Sequence, residues 1–141
     1  MAVLVLLAGG GWLGFGGGGA DAVLAEIAYN HQKTVVLDVA SPSYDVVQAG
    51  LPRLDFSVLS SKAAFLRNYA LVGGRYCSLQ GELAAQLRMT DRVNGDTLTV
   101  YVCKLAPALS GLAPLEQAHG GVEIRLWEDG GRIFALARGQ D

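Results

Sequence analysis

Three tight-turn signals punctuate the second half of this chain, and they leave room for little besides antiparallel hairpins. Gln80-Gly81, Asn94-Gly95 and Asp129-Gly130-Gly131 each separate two runs rich in apolar residues. Asn-Gly is the strongest of these signals, because a two-residue hairpin turn asks for positive φ at its centre. The flanking runs are 75–79, 82–89, 97–103, 122–127 and 132–138. Residues 97–103, TLTVYVC, alternate with the period of a strand.

Register follows from the turns. Pairing through Asn94-Gly95 sets Val93 against Asp96, Met89 against Val100 and Leu87 against Val102. The apolar members share one face, so the pairing is self-consistent. Arg88 then lies beside Tyr101, and Gln86 beside Cys103, on the other face. Counting through Gln80-Gly81 sets Cys77 opposite Ala84. The two cysteines therefore flank a central strand at about 10 Å, from a strand spacing of about 4.8 Å. A disulfide needs Cα atoms within about 7 Å, so none is expected between Cys77 and Cys103.

Upstream, residues 20–32 have helical spacing, with Val23 four before Ile27 and Leu24 four before Ala28. Residues 34–39, TVVLDV, read as a strand that Ser41-Pro42 ends. Residues 43–49 read as a short helix, 54–59 as a strand, and 60–68 as a helical turn or loop. Gly73-Gly74 suits a bulge or a positive φ where a Cβ would clash. Residues 104–120 read as a long loop, a candidate binding element. The sum is an α+β fold: an antiparallel meander sheet with one face covered by an N-terminal helix.

Composition matters most at the N-terminus. Only 17% of the chain is charged and 51% is hydrophobic, against roughly 25% charge in an ordinary soluble domain. Residues 1–20 carry no charged side chain, and the twelve that are not glycine are all apolar or aromatic. A membrane helix takes about 20 apolar residues. The expected division is a membrane anchor or signal-like segment at 1–19, an α+β extracytoplasmic domain at 20–138 and a tail at 139–141. Gly16 to Gly19 weaken the helix there, since glycine disfavours helix. Without Lys or Arg before Asp21, the charges that orient an anchor are expected in a cytoplasmic part upstream of Met1.

No catalytic, cofactor or metal site emerges. The net charge of -2 argues against nucleic acid, which needs clustered cations. There is no Gly-x-Ser-x-Gly elbow, no phosphate loop and no Cys-x-x-Cys. His31 and His119 share no ligand spacing. Soft ligands Cys77, Cys103, Met89 and His119 suggest a copper or redox module as an alternative. Tyr101, Trp127 and Phe134 are candidates for an exposed aromatic patch, and Arg75, Arg88 and Arg125 for contact with an anionic partner, with Arg88 grouped with the aromatics as the candidate partner-binding set. Gly73, Gly74, Asn94 and Gly95 are assigned structural roles.

The stretch ALVGGRYCSLQGELAAQLRM followed by NGDTLTVYV resembles the extracytoplasmic part of bacterial transmembrane anti-sigma factors and related transmembrane transcriptional regulators. The residues that carry the resemblance are Leu71, Gly73, Gly74, Arg75, Ala84, Ala85, Gln86 and the run Thr97 to Val102. The resemblance implies a single-pass protein of the bacterial inner membrane whose folded domain lies in the periplasm, senses a signal and binds a protein partner. The zinc-associated sigma-binding domain of that family, with its His-x3-Cys-x2-Cys arrangement, is absent from this sequence. An accessory subunit of a membrane protein complex is the other non-enzymatic expectation.

Overall fold

The structure is a computed structural model that describes residues 15–33, 36–62 and 64–139. Seven strands make one antiparallel sheet: β1 Val39–Ala40, β2 Tyr69–Leu79, β3 Glu82–Asp91, β4 Thr97–Lys104, β5 Leu115–His119, β6 Val122–Asp129 and β7 Arg132–Gly139. Helix α1 is Phe15–Gln32 and helix α2 is Tyr44–Ala49.

The spatial order is β1-β2-β3-β4-β7-β6-β5, so the expected meander is corrected. β7 lies between its hairpin partner β6 and β4, setting Val102 against Phe134 and Tyr101 against Ala135. Burial explains this. Ile133 to Ala137 are buried on both faces, as are Leu98 to Cys103 of β4. A strand apolar on both faces belongs inside a sheet. β5, mostly exposed, takes the edge.

Both faces are covered, where one was expected to be. On one, α1 packs Val23, Leu24, Ile27 and Ala28 onto Ala84, Tyr101, Cys103, Ile124 and Ile133. The 3.6-residue period brings those four side chains to one side of the helix. On the other, Val47 of α2 and the buried Leu51, Leu54 and Val58 lie over Leu87, Met89, Val100, Val102 and Phe134. Ser43 caps α2, its side chain accepting from the Val46 amide at 3.3 Å.

Several local expectations change. The strand expected at 34–39 shortens to Val39–Ala40, because the Asp38 carboxylate takes the Tyr76 amide at 2.9 Å in place of a ladder carbonyl; residues 34–35 lie outside the described residues. The 54–59 segment is not a strand. Gln48 holds it instead, donating to the Phe56 carbonyl at 3.0 Å and accepting from the Val58 amide at 2.8 Å. Residues 115–119 of the expected long loop pair as β5, and β7 runs one residue past the expected boundary at 138.

Gly73 and Gly74 follow the predicted bulge, a register shift between Leu71 and Gly73. Positive φ is not the reason, since neither is among the glycines in that region of backbone space. Close approach is. A Cβ on Gly73 would stand 2.3 Å from the Val39 carbonyl oxygen.

The Gln80-Gly81 turn gives the expected Cys77–Ala84 register. The Asn94-Gly95 hairpin is displaced by two residues, pairing Met89 with Leu98 and Leu87 with Val100. The Asp91 carboxylate accepts from the Val93 amide at 2.7 Å and the Asn94 amide at 3.3 Å. That capture winds residues 92–95 into a longer loop in which Gly95, not Asn94, has positive φ. A slip of two preserves the faces, so the predicted apolar face survives.

Helix α1 already includes Gly16 to Gly19, so it crosses the expected boundary at 19/20. Among the described residues no helix is long and apolar enough to cross a membrane. Most of the expected anchor falls on residues 1–14, outside the described residues.

Candidate partner-binding cleft

The face of the sheet opposite α1 carries a cleft of about 490 Å³ over β5, β6 and β7. Alternation along β6 builds it. Val122, Ile124 and Leu126 turn toward α1, so Glu123, Arg125 and Trp127 turn the other way. Leu136 and Arg138 of β7 join them, with Glu116 to Ala118 of the edge strand on one side and Phe65 and Tyr69 on the other.

The charges are paired across strands. Arg125 Nε is 3.0 Å from Glu116 Oε2, and Arg138 Nε is 2.9 Å from Glu123 Oε1. Both pairs lie directly opposite in register. Exposed pairs of this kind contribute about 0.2–1 kcal/mol each. Their larger consequence is placement: the pairing sets two acids and two guanidinium groups around Leu136.

An aromatic stack supports the wall. The 3-10 turn Ala64–Asn68 lays Phe65 edge-on to Trp127, with centroids 5.6 Å apart. Trp127 stacks on Phe134 at 5.3 Å and 9°, and the Arg125 guanidinium sits 4.7 Å from the Phe65 ring centre. Trp127 Nε1 donates to Ser60 Oγ at 3.0 Å. Asp129 then ties the same loop to the β6–β7 turn, accepting from Ser60 Oγ, the Ser61 amide and hydroxyl, and the Lys62 amide. Burial acts to raise the Asp129 carboxyl, but these donors outweigh it and hold it below its ordinary value.

The four residues predicted to bind a partner divide between the two faces. Trp127 and Phe134 do flank one hairpin, but Phe134 is fully buried beneath Trp127. Tyr101 is fully buried on the α1 face. The expected exposed patch of Tyr101, Trp127 and Phe134 is corrected accordingly: only Trp127 is partly accessible. Arg88, half-buried, also lies on the α1 face, where its Nε is buried with no hydrogen-bond partner among the described residues.

Beneath α1 runs a polar row. Arg75 Nη1 donates to Gln86 Oε1 at 3.2 Å, and Gln86 Nε2 donates to the Tyr101 hydroxyl at 3.3 Å. His31 Nδ1 is 2.8 Å from Thr99 Oγ1. Burial lowers the His31 pKa, and the Arg88 charge lowers it further. Burial raises Tyr101 and pushes the thiols up, Cys77 to about 12 and Cys103 to about 11. Protonated thiols are poor nucleophiles and poor metal ligands. Met89 lies on the opposite face from Cys103, so the copper set suggested by the sequence does not converge. Among the described residues no group of three or more His, Cys, Asp or Glu stands ready to hold a metal ion.

Sequence reasoning missed Phe65, Tyr69, Glu116, Glu123 and Arg138. The cross-strand pairing of Glu123 with Arg138 was available from the Gly130-Gly131 turn by the same counting used elsewhere. Phe65 sits in a segment with no period and gave no signal. Comparisons with protein-family models, with curated proteins and with solved structures find no match.

Proposed function

We propose that this chain is a partner-binding regulatory or sensor domain of the anti-sigma-factor type, and that its partner docks in the cleft over β5, β6 and β7. The observation that carries the reading is the cleft itself: Leu136 at its base, Phe65 and Tyr69 along one side, the edge strand along the other, and two ion pairs across it. Aromatic and arginine side chains such as these are enriched at protein–protein interfaces. The protein partner presents an apolar side chain flanked by charged ones. The thiols and the phenol beneath α1 are held protonated, which supports binding over chemistry. In this reading residues 1–19 hold the domain at the bacterial inner membrane, on the periplasmic side.

The test is co-purification from native membranes, comparing the wild-type chain with Phe65→Ala and with Arg125→Glu. The expected result is one stoichiometric partner with the wild type and at least a tenfold loss with each variant, as for a packed aromatic anchor and a reversed charge. Equal recovery with all three chains would place the partner elsewhere.

A further inference from the structure

We infer that β5 is a self-pairing edge, at which a second copy of this chain joins the sheet across a two-fold axis centred on Gln117. The inference stands on the geometry of β5 and not on the role of the cleft.

Register decides which backbone groups of β5 are available. β5 and β6 are joined by the two-residue turn Gly120-Gly121, both with positive φ. In such a hairpin the flanking pair, here His119 and Val122, exchanges both backbone bonds, and bonded pairs then alternate. His119, Gln117 and Leu115 thus bond inward to β6. Glu116 and Ala118 direct their N–H and C=O groups outward, where β5 ends the sheet.

An antiparallel copy satisfies all of those groups in one register. Centring the axis on Gln117 sets Glu116 opposite the partner copy's Ala118, and the reverse. Each pair is outward-facing on both strands, so four backbone bonds form. Gln117 meets its own copy, and Leu115 meets His119. No like charges stand opposite each other. A shift that centres the axis on Glu116 would oppose two carboxylates and bring Pro114, which has no N–H, into the ladder.

Leu115–His119 contains no Lys, no Pro and no bulge. Glu116 is drawn back onto Arg125 at 3.0 Å, away from the approaching strand. The patch is self-complementary, as a two-fold contact requires. Residues directly opposite in an antiparallel pair share a face. The two clefts therefore lie side by side on the same face, each walled by the other copy's Glu116 and Ala118. The joined strands are short, which places the contact among small, transient interfaces.

The experiment uses the full chain with three variants. Sedimentation equilibrium reads the mass at tens of micromolar for the wild type and for Ala118→Pro. The Ala118 N–H lies outside the intramolecular ladder, so proline there removes only the intermolecular bonds. A wild-type dimer that becomes monomeric in Ala118→Pro, with unchanged circular dichroism, is the expected result. Gln117→Cys keeps the test decisive where Ala118→Pro fails to fold. Opposed residues at a non-hydrogen-bonded pair lie about 4.5 Å apart at Cα, within disulfide range. Under mild oxidation Gln117→Cys should cross-link at least tenfold faster than Glu116→Cys, whose thiol faces Ala118 instead. A wild-type monomer, a dimer that survives Ala118→Pro, or equal cross-linking at the two positions would overturn the inference, whatever happens in the cleft.

Discussion

Replacing Gly73 by alanine should detach β1, and the size of the effect follows from the contacts a Cβ would meet. It would stand 2.3 Å from the Val39 carbonyl oxygen, 2.8 Å from Leu37 Cδ1 and 3.0 Å from Ala40 Cα. Two of the three neighbours are backbone, which cannot swing aside as a side chain does. Relief requires β1 to move off β2, losing the Val39–Gly74 and Ala40–Gly73 pairing. Two ladder hydrogen bonds at about 1 kcal/mol each give about 2 kcal/mol. Lost packing adds to this, and the lower entropy of alanine in the unfolded chain returns about 0.4–1 kcal/mol. The net expectation is a destabilisation of about 2 kcal/mol. Gly74→Ala meets Val47 Cγ1 at 2.7 Å and Leu87 Cδ2 at 3.0 Å, both side-chain atoms, and should cost about 1–2 kcal/mol as mild overpacking. Gly81→Ala meets nothing within 4 Å but has φ +81°, a strain of about 1 kcal/mol. Urea unfolding of the three variants gives the ranking, and amide exchange at Tyr76 reports on β1. If Gly73→Ala unfolds within about 0.5 kcal/mol of the wild type, the close approach of β1 is wrong.

Three further outcomes follow from the buried groups. The folded-state pKa of His31 lies below its ordinary 6.5, so the unfolded chain binds more protons below that value; stability should fall as pH drops through 6.5, and His31→Gln should flatten that part of the profile. Asp129 is shifted below its ordinary 3.8, so its contribution is present above that value and is lost as pH falls through the lower folded value. Trp127 emission, isolated by Trp12→Phe, should therefore shift to the red only below about pH 3.8, and Asp129→Asn should remove that step. Cys103 is buried and Cys77 half-buried against the α1 core, and burial raises both thiols, so an aromatic disulfide reagent at neutral pH should label Cys103 at least tenfold more slowly in the native chain than in urea, with Cys77 slowed less.

Much of this fold was legible where a local signal has a single physical meaning. Gln80-Gly81 fixed the Cys77–Ala84 register because both turn residues adopt positive φ and the strands leave it directly. The short helix read at 43–49 stands as Tyr44–Ala49, with Ser43 as its cap. Asn94-Gly95 located its hairpin but misplaced the register, since Asp91 competes for the turn amides. The insertion of β7 beside β4 is a long-range event that no turn encodes. Its trace lies in composition: RIFALAR is apolar at successive positions, while VEIRLW alternates. The first pattern is that of a strand buried on both faces and the second of one buried on a single face.

The site was less legible for the same reason. Trp127 and Phe134 were correctly placed on one hairpin, but their stacking hides Phe134. Tyr101 turns inward with the row beneath α1 because Gln86 and the helix cover it there. The cleft draws on residues from four separate stretches, 65–69, 116–118, 123–125 and 136–138, and only the sheet order brings them together.

The measurement that bears most directly on partner docking is photo-cross-linking in living cells. A photoreactive amino acid placed at Tyr69, in the cleft, is compared with one at Tyr29, exposed on α1. One discrete cross-linked protein is expected from Tyr69, lost when Arg125→Glu is added, and none from Tyr29. The same product from both positions, or a product from Tyr29 alone, would contradict it.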